Sequence, residues 1–279
     1  MLHMMIFVCV LCVAAVVCGY LLLIMPHVSS KNKTKVFQRW LYAHRGLHDN
    51  RGEAPENSMR AFAKAVEAGF GIELDIQLTK DKIPVVFHDF TLDRACGGKG
   101  RIADYTCEEL RQFTLFGSQE RIPRFEEVLG LVNGRVPLIV ELKIEYKDMS
   151  LCREADRLLC DYRGLYCIES FNPLAVLWYR RRRSGVVRGQ LSDAFCREKK
   201  SCHIVRFVLQ NLLLNCLTKP DFIAYNHKYS KQLSRKLCRK LYHNTAAAWT
   251  IKSQAELEAA RKDFDIFIFD SFMPPAAAS

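Results

Sequence analysis

The chain has 279 residues, of which 49% are hydrophobic and 25% charged, and this ordinary globular balance excludes wholesale disorder. Its net charge of +11 suits an anionic partner such as nucleic acid, a phosphate ester or an anionic membrane, although many basic proteins have none. Nine of its 12 cysteines follow the N-terminal region, and they contain no C-x-x-C pair, so a zinc ribbon or a redox dithiol has little support. We interpret these nine as free thiols in a reducing compartment.

The first predicted element is an uncharged apolar stretch from Met5 to Met25. As a helix it would be about 30 Å long, which matches the hydrocarbon core of a bilayer. A buried core helix and a cleaved signal peptide are the alternatives. No Lys or Arg precedes the stretch, and Gly19-Tyr20-Leu21 is a poor cleavage site. We therefore predict a retained transmembrane anchor at 1–28, which would attach the protein to the cell membrane by a single pass.

A polar and basic segment follows the anchor, and we interpret residues 29–39 as a linker. It contains Lys31, Lys33, Lys35 and Arg39, whereas only the amino terminus and His3 lie before the apolar stretch Met5 to Met25. The positive-inside rule then places the remainder of the chain in the cytoplasm.

From Trp40 onward, short apolar runs alternate with helical patterns, and this alternation predicts a parallel α/β fold. We predict nine strands, at Leu41–Ala43, Gly71–Leu78, Pro84–His88, Leu138–Leu142, Tyr166–Glu169, Val186–Gln190, Phe222–Tyr225, Ala246–Ile251 and Ile266–Phe269. We predict seven helices between them, at Ser58–Ala68, Glu108–Phe113, Phe125–Val132, Leu151–Cys160, Leu174–Arg183, Lys231–Leu241 and Gln254–Lys262.

Nine strands are one too many for an eight-stranded barrel, but the second and third are joined by a connection too short for a parallel crossover, Thr79 to Lys82. These two strands must form an antiparallel hairpin. A turn centred between Lys80 and Asp81 would place Glu73 opposite His88. The remaining eight strands predict a TIM (β/α)8 barrel with a small insertion after its second strand.

Polar side chains lie at or near the ends of several predicted strands, where a TIM barrel carries its chemistry. Glu73 and Asp75 are two residues apart on one strand, so both carboxylates point to the same face. Glu141, on another strand, could complete an oxygen ligand set suited to Mg²⁺ or Ca²⁺. Alternatively, the three carboxylates could be solvated or ion-paired.

Two histidines and two cations accompany these carboxylates. His44 and His88 could serve as general acid and general base, because imidazoles titrate near neutral pH. Arg45 and Lys143 could hold a phosphodiester and offset the charge that develops on its oxygens. A single histidine is more often structural or exposed, so the spacing alone leaves both interpretations open.

With these residues the sequence resembles the glycerophosphodiester phosphodiesterase family, in a membrane-anchored bacterial form. The resemblance runs from about Tyr42 to Asp270. It depends on an ordered set of motifs: Ala43-His44-Arg45-Gly46, Pro55-Glu56-Asn57-Ser58 with Ala61-Phe62, Ile72-Glu73-Leu74-Asp75, Thr79-Lys80-Asp81, Pro84-Val85-Val86-Phe87-His88-Asp89, Leu92-Asp93-Arg94, Gly98-Lys99-Gly100, Glu141-Leu142-Lys143, Ser170-Phe171 and Trp249-Thr250.

The resemblance implies a TIM-barrel catalytic domain at 40–273, followed by a tail at 274–279. It implies one divalent cation, Ca²⁺ or Mg²⁺, held by Glu73, Asp75 and Glu141. The reaction it implies is the hydrolysis of glycerophosphodiesters to sn-glycerol 3-phosphate and an alcohol. Water could attack directly, or the glycerol 2-hydroxyl could attack first and give a cyclic phosphate.

The resemblance also implies roles for individual side chains. His44 and His88 would form the acid–base pair, with Arg45 and Lys143 near the phosphate, and Asn57 would help to order the site. One departure from the family pattern follows the last strand, where Asp270 is retained in altered surroundings. Its role is therefore in doubt, and it could serve only to orient a neighbour.

A long excursion separates Gln190 from Phe222. It is basic at first (Arg197, Lys199, Lys200, Arg206) and then apolar, and one helical face carries Val205, Val208, Leu209, Leu212, Leu213 and Cys216. With the basic cluster Arg180–Arg183, this pattern suits an element that dips into a membrane interface. The alternative is a barrel helix packed on the core with solvated arginines.

Other functions compete with glycerophosphodiester hydrolysis. A phospholipase D-type or lysophospholipase D-type enzyme would act on membrane lipids, with lysophospholipids as substrates. A non-catalytic, membrane-bound lipid-binding barrel would be expected to lack a metal carboxylate or a histidine, and none is missing here. We expect no nucleic-acid partner, because the chain contains no recognised nucleic-acid motif.

Overall fold

The computed structural model describes residues 1–197 and 203–275. Within these ranges the strands are β1 Leu41–His44, β2 Gly71–Leu78, β3 Pro84–Val86, β4 Leu138–Leu142, β5 Tyr166–Ser170, β6 Arg188–Ser192, β7 Phe222–Asn226, β8 Thr245–Ile251 and β9 Ile266–Phe269. The α-helices are α1 Leu2–Ile24, α2 Lys31–Thr34, α3 Met59–Glu67, α4 Asp93–Cys96, α5 Cys107–Leu110, α6 Phe125–Val132, α7 Ser150–Asp161, α8 Pro173–Arg182, α9 Ile204–Gln210, α10 Asn215–Thr218, α11 Leu233–Tyr242 and α12 Gln254–Ala260.

Eight of the strands form a closed parallel barrel in the order β1-β2-β4-β5-β6-β7-β8-β9, and β9 pairs with β1. The short strand β3 pairs antiparallel to β2 outside the barrel. The predicted TIM barrel with an insertion after its second strand is confirmed. Each predicted strand and helix from Trp40 to Lys262 is present, and its bounds differ from the prediction by three residues at most.

Two apolar layers hold the barrel together. Inside it, Tyr42, Ile139, Phe222 and Ile268 pack in one cluster that is closed to solvent. Outside it, the helices bury their apolar faces against the strands; Phe62 on α3 and Val128 on α6 are fully buried. This packing fixes the strand ends, and therefore the side chains at the mouth, in one arrangement.

The β2–β3 hairpin has a register one residue away from the predicted one. Ile76 pairs with Val86 and Leu78 with Pro84, so the turn is centred on Asp81. The Thr79 N–H donates to the Ile83 carbonyl at 3.1 Å, which leaves a three-residue turn at 80–82 between these two residues. Within it Lys82 has a φ of 62°, the left-handed conformation common in such turns. The predicted pairing of Glu73 with His88 is therefore wrong.

The segment interpreted as a linker is packed against the base of the barrel, the end where the strands begin. It includes α2, the Ser30 hydroxyl donates to the Asp221 carbonyl at 2.9 Å, and the Tyr42 hydroxyl donates to the Phe37 carbonyl at 3.1 Å. Phe37 is only 1% exposed and joins the cluster inside the barrel. Residues 29–39 therefore close the base and do not act as a free spacer.

The excursion after β6 is divided, whereas its periodicity suggested one continuous helical face. The helix α9 ends at Gln210, and Leu212 has a φ of 57°, which turns the chain before α10. Lys199 and Lys200 lie outside the described residues. The cluster Arg180–Arg183 ends α8 at the base of the barrel, so it does not accompany the apolar residues of α9.

The prediction that all nine later cysteines are free is wrong at Cys196, which is disulfide-bonded. Cys96, Cys107, Cys167 and Cys238 are among the free thiols. Because disulfides are rare in reducing compartments, the cysteines no longer favour a reducing environment.

Candidate active site

Three buried carboxylates converge at the mouth of the barrel, the end where the strands finish. Glu73 and Asp75 extend from β2 and Glu141 from β4, and Asp75 lies opposite Glu141 in the strand register. One oxygen from each lies within 4.8 Å of the others. All three predicted ligands are thus brought together, because parallel neighbouring strands align residues at the same height.

These carboxylates are buried close together, so their charges repel one another. Burial and the charge of Asp75 raise the pKa of Glu141 to about 7, against the opposing effect of Lys143. Burial and the charges of Asp75 and Glu141 also raise the pKa of Glu73 well above its ordinary value. Burial alone would raise the pKa of Asp75 as well, but Lys143, His88 and Arg45 hold it well below its usual range. The cluster carries full negative charge near neutral pH only with further positive charge beside it.

Glu169, at the C-terminal end of β5, is a fourth buried carboxylate that the sequence analysis did not select. It lies opposite Glu141 in the register, and its Oε2 has no hydrogen-bond partner. Burial raises the pKa of Glu169 well above its ordinary value, and the charges of Glu141 and Asp75 add to this effect. Glu141 was selected because it lies near the end of a predicted strand. Glu169 also lies near the end of a predicted strand, so the same criterion would have found it.

The donor set fits a hard divalent cation. Carboxylate oxygens are the ligands that Mg²⁺ and Ca²⁺ prefer, and a cation would relieve the repulsion in the cluster. Lys143 supplies part of this compensation, with its Nζ 3.1 Å from Glu141 Oε1 and 3.5 Å from Asp75 Oδ1. Lys143 is therefore beside the carboxylates, where the sequence analysis expected it.

Arg45 lies on the other side of the same carboxylates. Its Nε is 3.4 Å from Asp75 Oδ2, and its Nη1 donates to Glu56 Oε1 at 2.7 Å. Arg94 donates to both oxygens of Glu56, at 2.6 and 3.0 Å. Burial would raise the pKa of Glu56, but the two guanidinium groups lower it to about 2. Glu56, which the sequence analysis quoted only within a motif, thus fixes Arg45.

The backbone around Arg45 is shaped for this placement. Arg45 and Gly46 both have positive φ, of 57° and 83°. A Cβ at Gly46 would lie 2.8 Å from the backbone of Ala61, so only glycine fits this close approach. Asn57 donates its backbone N–H to the Arg45 carbonyl at 3.0 Å and its side-chain amide to Asp75 Oδ2 at 3.0 Å. Asn57 therefore joins two parts of the site.

His44 ends β1 beside the carboxylates. Its Nε2 is 3.9 Å from Glu73 Oε2, and its Nδ1 is 3.3 Å from Asp270 Oδ2. Burial and the charge of Arg45 lower the pKa of His44 to about 4, although Asp270 opposes the shift. Asp270 also lies 3.2 Å from His48 Nε2. The residue whose role was in doubt thus orients His44.

His88 follows β3 and has a carboxylate partner of its own. Its Nδ1 is 2.6 Å from Asp89 Oδ1, and Arg94 Nε donates to the other oxygen of Asp89 at 2.6 Å. Burial lowers the pKa of His88, as do Lys143 and Arg45, while Asp75 and Asp89 oppose them. The Phe87 N–H donates to the Asp75 carbonyl at 2.9 Å, which places the His88 backbone next to β2 at Asp75. The charge of Asp75 raises the pKa of both imidazoles against the effect of burial.

We refer to these predicted site residues collectively as the charged pocket: His44, Arg45, Asn57, Glu73, Asp75, His88, Glu141 and Lys143. The structure defines a TIM-barrel protein with a candidate metal centre and two imidazoles at its mouth. The sequence model of the glycerophosphoryl diester phosphodiesterase family matches residues 44–262, and the chain belongs to this family.

Comparisons with individual proteins agree with this assignment. A glycerophosphodiester phosphodiesterase of Caldanaerobacter subterraneus is 44% identical over 109 residues, which cover 36% of this chain and 44% of the relative. One of Bacillus altitudinis is 41% identical over 112 residues, which cover 38% of this chain and 44% of the relative. The matched region thus spans about half the length of the curated relatives or less.

Solved structures share the fold. A phosphodiesterase of Oleispira antarctica, solved in complex with the product sn-glycerol-3-phosphate, superposes with a TM-score of 0.66 and 24% identity, covering 82% of this chain and 92% of that one. A glycerophosphodiester phosphodiesterase of Parabacteroides distasonis superposes with a TM-score of 0.64 and 23% identity, covering 83% of this chain and 92% of that one.

Proposed function

We propose that this protein hydrolyses glycerophosphodiesters to sn-glycerol 3-phosphate and an alcohol, with the help of a divalent cation. The observation that carries the proposal is the convergence of three buried carboxylates with Arg45 and Lys143 at one barrel mouth, where His44 lies 3.9 Å from Glu73 and His88 follows the residue that hydrogen-bonds to Asp75. Family membership supports it, as do relatives that are named glycerophosphodiester phosphodiesterases. The Oleispira phosphodiesterase binds sn-glycerol 3-phosphate as its product, which supports the same chemistry on this fold.

Glu73, Asp75 and Glu141 would hold one Ca²⁺ or Mg²⁺ ion, because all three offer hard oxygen donors. The ion would polarise a phosphoryl oxygen and add positive charge near the reacting phosphorus. Arg45 and Lys143 would attract the anionic diester and stabilise the charge that grows on its oxygens. Asn57 and Glu56 would hold Asp75 and Arg45 in position.

His44 and His88 would move protons during the reaction. Asp270 and Asp89 each contact Nδ1 of one ring, which leaves both Nε2 atoms to exchange protons with the substrate. One imidazole would take the proton of the attacking hydroxyl, and the other would protonate the oxygen of the leaving alcohol as its bond to phosphorus breaks. The attacking group is either water or the glycerol 2-hydroxyl, and in the second case water opens the resulting cyclic phosphate.

A substrate panel tests the proposal. The full chain in detergent would be assayed with glycerophosphocholine, glycerophosphoethanolamine and glycerophosphoglycerol, first with EDTA and then with Mg²⁺ or Ca²⁺ restored. We expect sn-glycerol 3-phosphate to be released only with the metal. Activity that is insensitive to EDTA and unchanged in His44→Asn would overturn the mechanism.

We further propose that α1 anchors the protein in the cell membrane by a single pass, with the barrel in the cytoplasm. By length and composition, α1 is able to cross a membrane, and residues 2–18 are exposed. Lys31, Lys33 and Lys35 follow it, which supports a cytoplasmic barrel, whereas the disulfide at Cys196 is evidence against this orientation. Protease protection of the barrel in sealed membrane vesicles distinguishes the two orientations.

A further inference from the structure

Next to the charged pocket lies an apolar cavity of about 860 Å³, within the size range of small-molecule sites. We name it the apolar groove; its walls include Ile144, Phe171, Leu174, Val205, Val208 and Leu209. Ile144 directly follows Lys143 of the charged pocket, and Phe171 lies two residues after Glu169, which is opposite Glu141 in the strand register. The groove therefore adjoins the charged pocket. A molecule with an anionic diester at one end and a hydrocarbon chain at the other would fit both.

The helix α9 forms the outer wall of the groove at the mouth of the barrel. The Ser192 hydroxyl at the end of β6 donates to the Leu209 carbonyl at 2.9 Å, and the Tyr225 hydroxyl on β7 donates to the Gln210 carbonyl at 3.2 Å. On the same helix, Ile204 is 66% and Phe207 49% exposed. Such apolar exposure beside a pocket marks an interaction surface.

The direction of α1 relative to the barrel shows what this surface faces. α11 begins at the mouth, because it follows β7, and it ends at the base, because it precedes β8. The Leu21 and Ile24 carbonyls accept from Tyr242 Oη at 2.9 Å and from Cys238 Sγ at 3.2 Å, so the end of α1 packs against α11. The Ile24 carbonyl also accepts from Asn215 Nδ2 at 3.1 Å, at the beginning of α10. Because α10 leads to the start of β7 at the base, Ile24 lies farther from the base than the residues that follow it.

The chain after α1 continues toward the base. The Met25 carbonyl accepts from Lys219 Nζ at 3.2 Å, and the His27 N–H donates to the Pro220 carbonyl at 3.1 Å, immediately before β7. Thus α1 descends from mouth to base. Its exposed residues before Tyr20 extend beyond the mouth over about 27 Å, at 1.5 Å per residue. This length approaches the hydrocarbon thickness of a bilayer.

From these observations we propose that the mouth of the barrel faces the membrane that α1 enters, and that the apolar groove takes the acyl chain of a lysophospholipid from that membrane. The inference rests on the proposed function, since the charged pocket would then act on the phosphodiester of the same molecule. Water adds to phosphorus, the phosphorus–oxygen bond to the headgroup breaks, and the headgroup oxygen takes a proton. The products are lysophosphatidate and the headgroup alcohol.

Two variants test the inference, each of which replaces an exposed apolar residue with aspartate: one in the groove and one at the base of the barrel. Val205 lines the groove and is 54% exposed, while Leu241 ends α11 at the base and is 51% exposed. The full chain in vesicles would be assayed on palmitoyl lysophosphatidylcholine and on glycerophosphocholine. We expect Val205→Asp to lower kcat/KM for the lipid at least tenfold and that for glycerophosphocholine less than twofold. We expect Leu241→Asp to change neither.

The outcomes separate the two proposals. Two results would contradict acyl-chain binding in the groove without affecting the proposed function. One is hydrolysis of glycerophosphocholine but not of the lipid. The other is an equal loss of kcat/KM on both substrates in Val205→Asp. If neither substrate is hydrolysed with Mg²⁺ or Ca²⁺, the proposed function fails. A photo-crosslink then tests the surface independently of catalysis: benzoylphenylalanine at position 205 should capture vesicle lipid, and at position 241 it should not. Capture at position 241, or at neither position, overturns the inference.

Discussion

The charged pocket and the apolar groove adjoin at the mouth of one barrel, yet they are built differently. Side chains of the charged pocket lie at strand ends and are held by ion pairs, such as Lys143 with Glu141 at 3.1 Å. The groove is built from loops, from the beginning of α8 and from α9, and α9 is held by hydrogen bonds that Ser192 and Tyr225 donate to its carbonyls. The barrel thus provides a fixed reactive centre, while one excursion of the chain provides the surface beside it. Substitutions in one region should leave the other intact.

The largest effect is expected from the imidazole beside the carboxylates. His44→Asn should lower kcat at least about 1,000-fold on glycerophosphocholine and on lysophosphatidylcholine alike, since general acid–base catalysis contributes roughly 10²–10⁴-fold. The matched control is His243→Asn, at an exposed residue after α11. Steady-state kinetics of the purified full chain would measure both. Equal activity of the two variants would exclude His44 from the charged pocket's chemistry.

The next largest effect is expected on the stabilisation of the protein by metal, which is measured as an increase in Tm and does not depend on catalysis. A ligand present at 100 times its Kd stabilises the folded state by about 2.7 kcal/mol, so Ca²⁺ or Mg²⁺ should raise the Tm of the wild type in detergent. Glu141→Gln should lose most of this increase, while Glu258→Gln, at an exposed residue of α12, should keep it. Without metal, Glu141→Gln should change the Tm little, because it removes the repulsion from Asp75 and also the ion pair with Lys143. A full Tm increase in Glu141→Gln would contradict the proposed ligand set.

The contrast between the two regions also explains what the sequence could predict. Glu73, Asp75 and Glu141 were predictable from the two-residue period of a strand and from their positions near strand ends. Neither criterion requires knowledge of the tertiary contacts. The partner of His44 was not, since Asp270 is 226 residues away in sequence and meets it only when the barrel closes. The hairpin register depended on the left-handed backbone of Lys82, which no residue pattern indicated.

The groove was only partly predictable, since it depends on how irregular segments pack. Periodicity identified the apolar residues of α9, but the turn at Leu212 interrupts the helical face that it predicted. The basic cluster Arg180–Arg183 was grouped with α9 because charge alone does not show position. The structure places this cluster at the base, where Arg180 donates to the Leu217 carbonyl and Arg183 pairs with Asp156 at 3.2 Å.

A smaller effect is expected on the stability of the charged pocket and on its pH dependence. Glu56→Gln should cost about 2 kcal/mol at pH 7, because a buried partner of Arg45 loses its charge. The two guanidinium groups lower the pKa of Glu56 from 4.5 to about 2. The contribution of ionised Glu56 to the free energy of unfolding is therefore fully present above about pH 4.5 and is lost as the pH falls toward 2.

Urea unfolding in detergent at pH 7, 5 and 3 would measure this dependence. The difference between the wild type and Glu56→Gln should be smallest at pH 3. Glu53→Gln, which removes an exposed partner of Arg60, should differ little from the wild type at any of these pH values. A difference for Glu56→Gln that grows as the pH falls would contradict the ion-pair explanation.

The smallest effect concerns Phe171, where the two regions meet. Its ring packs edge-on against Trp249, with centroids 5.6 Å apart, and against Phe195 at 5.9 Å. Phe171→Ala should lower kcat/KM for lysophosphatidylcholine about tenfold, equivalent to about 1.4 kcal/mol, and that for glycerophosphocholine only a few-fold. Phe113→Ala is the matched control, because Phe113 makes a similar edge contact with Tyr105, at 5.6 Å, in the hairpin insertion. Equal losses on both substrates in Phe171→Ala would show that the aromatic wall serves the charged pocket alone, and the proposed division between the regions would then be wrong.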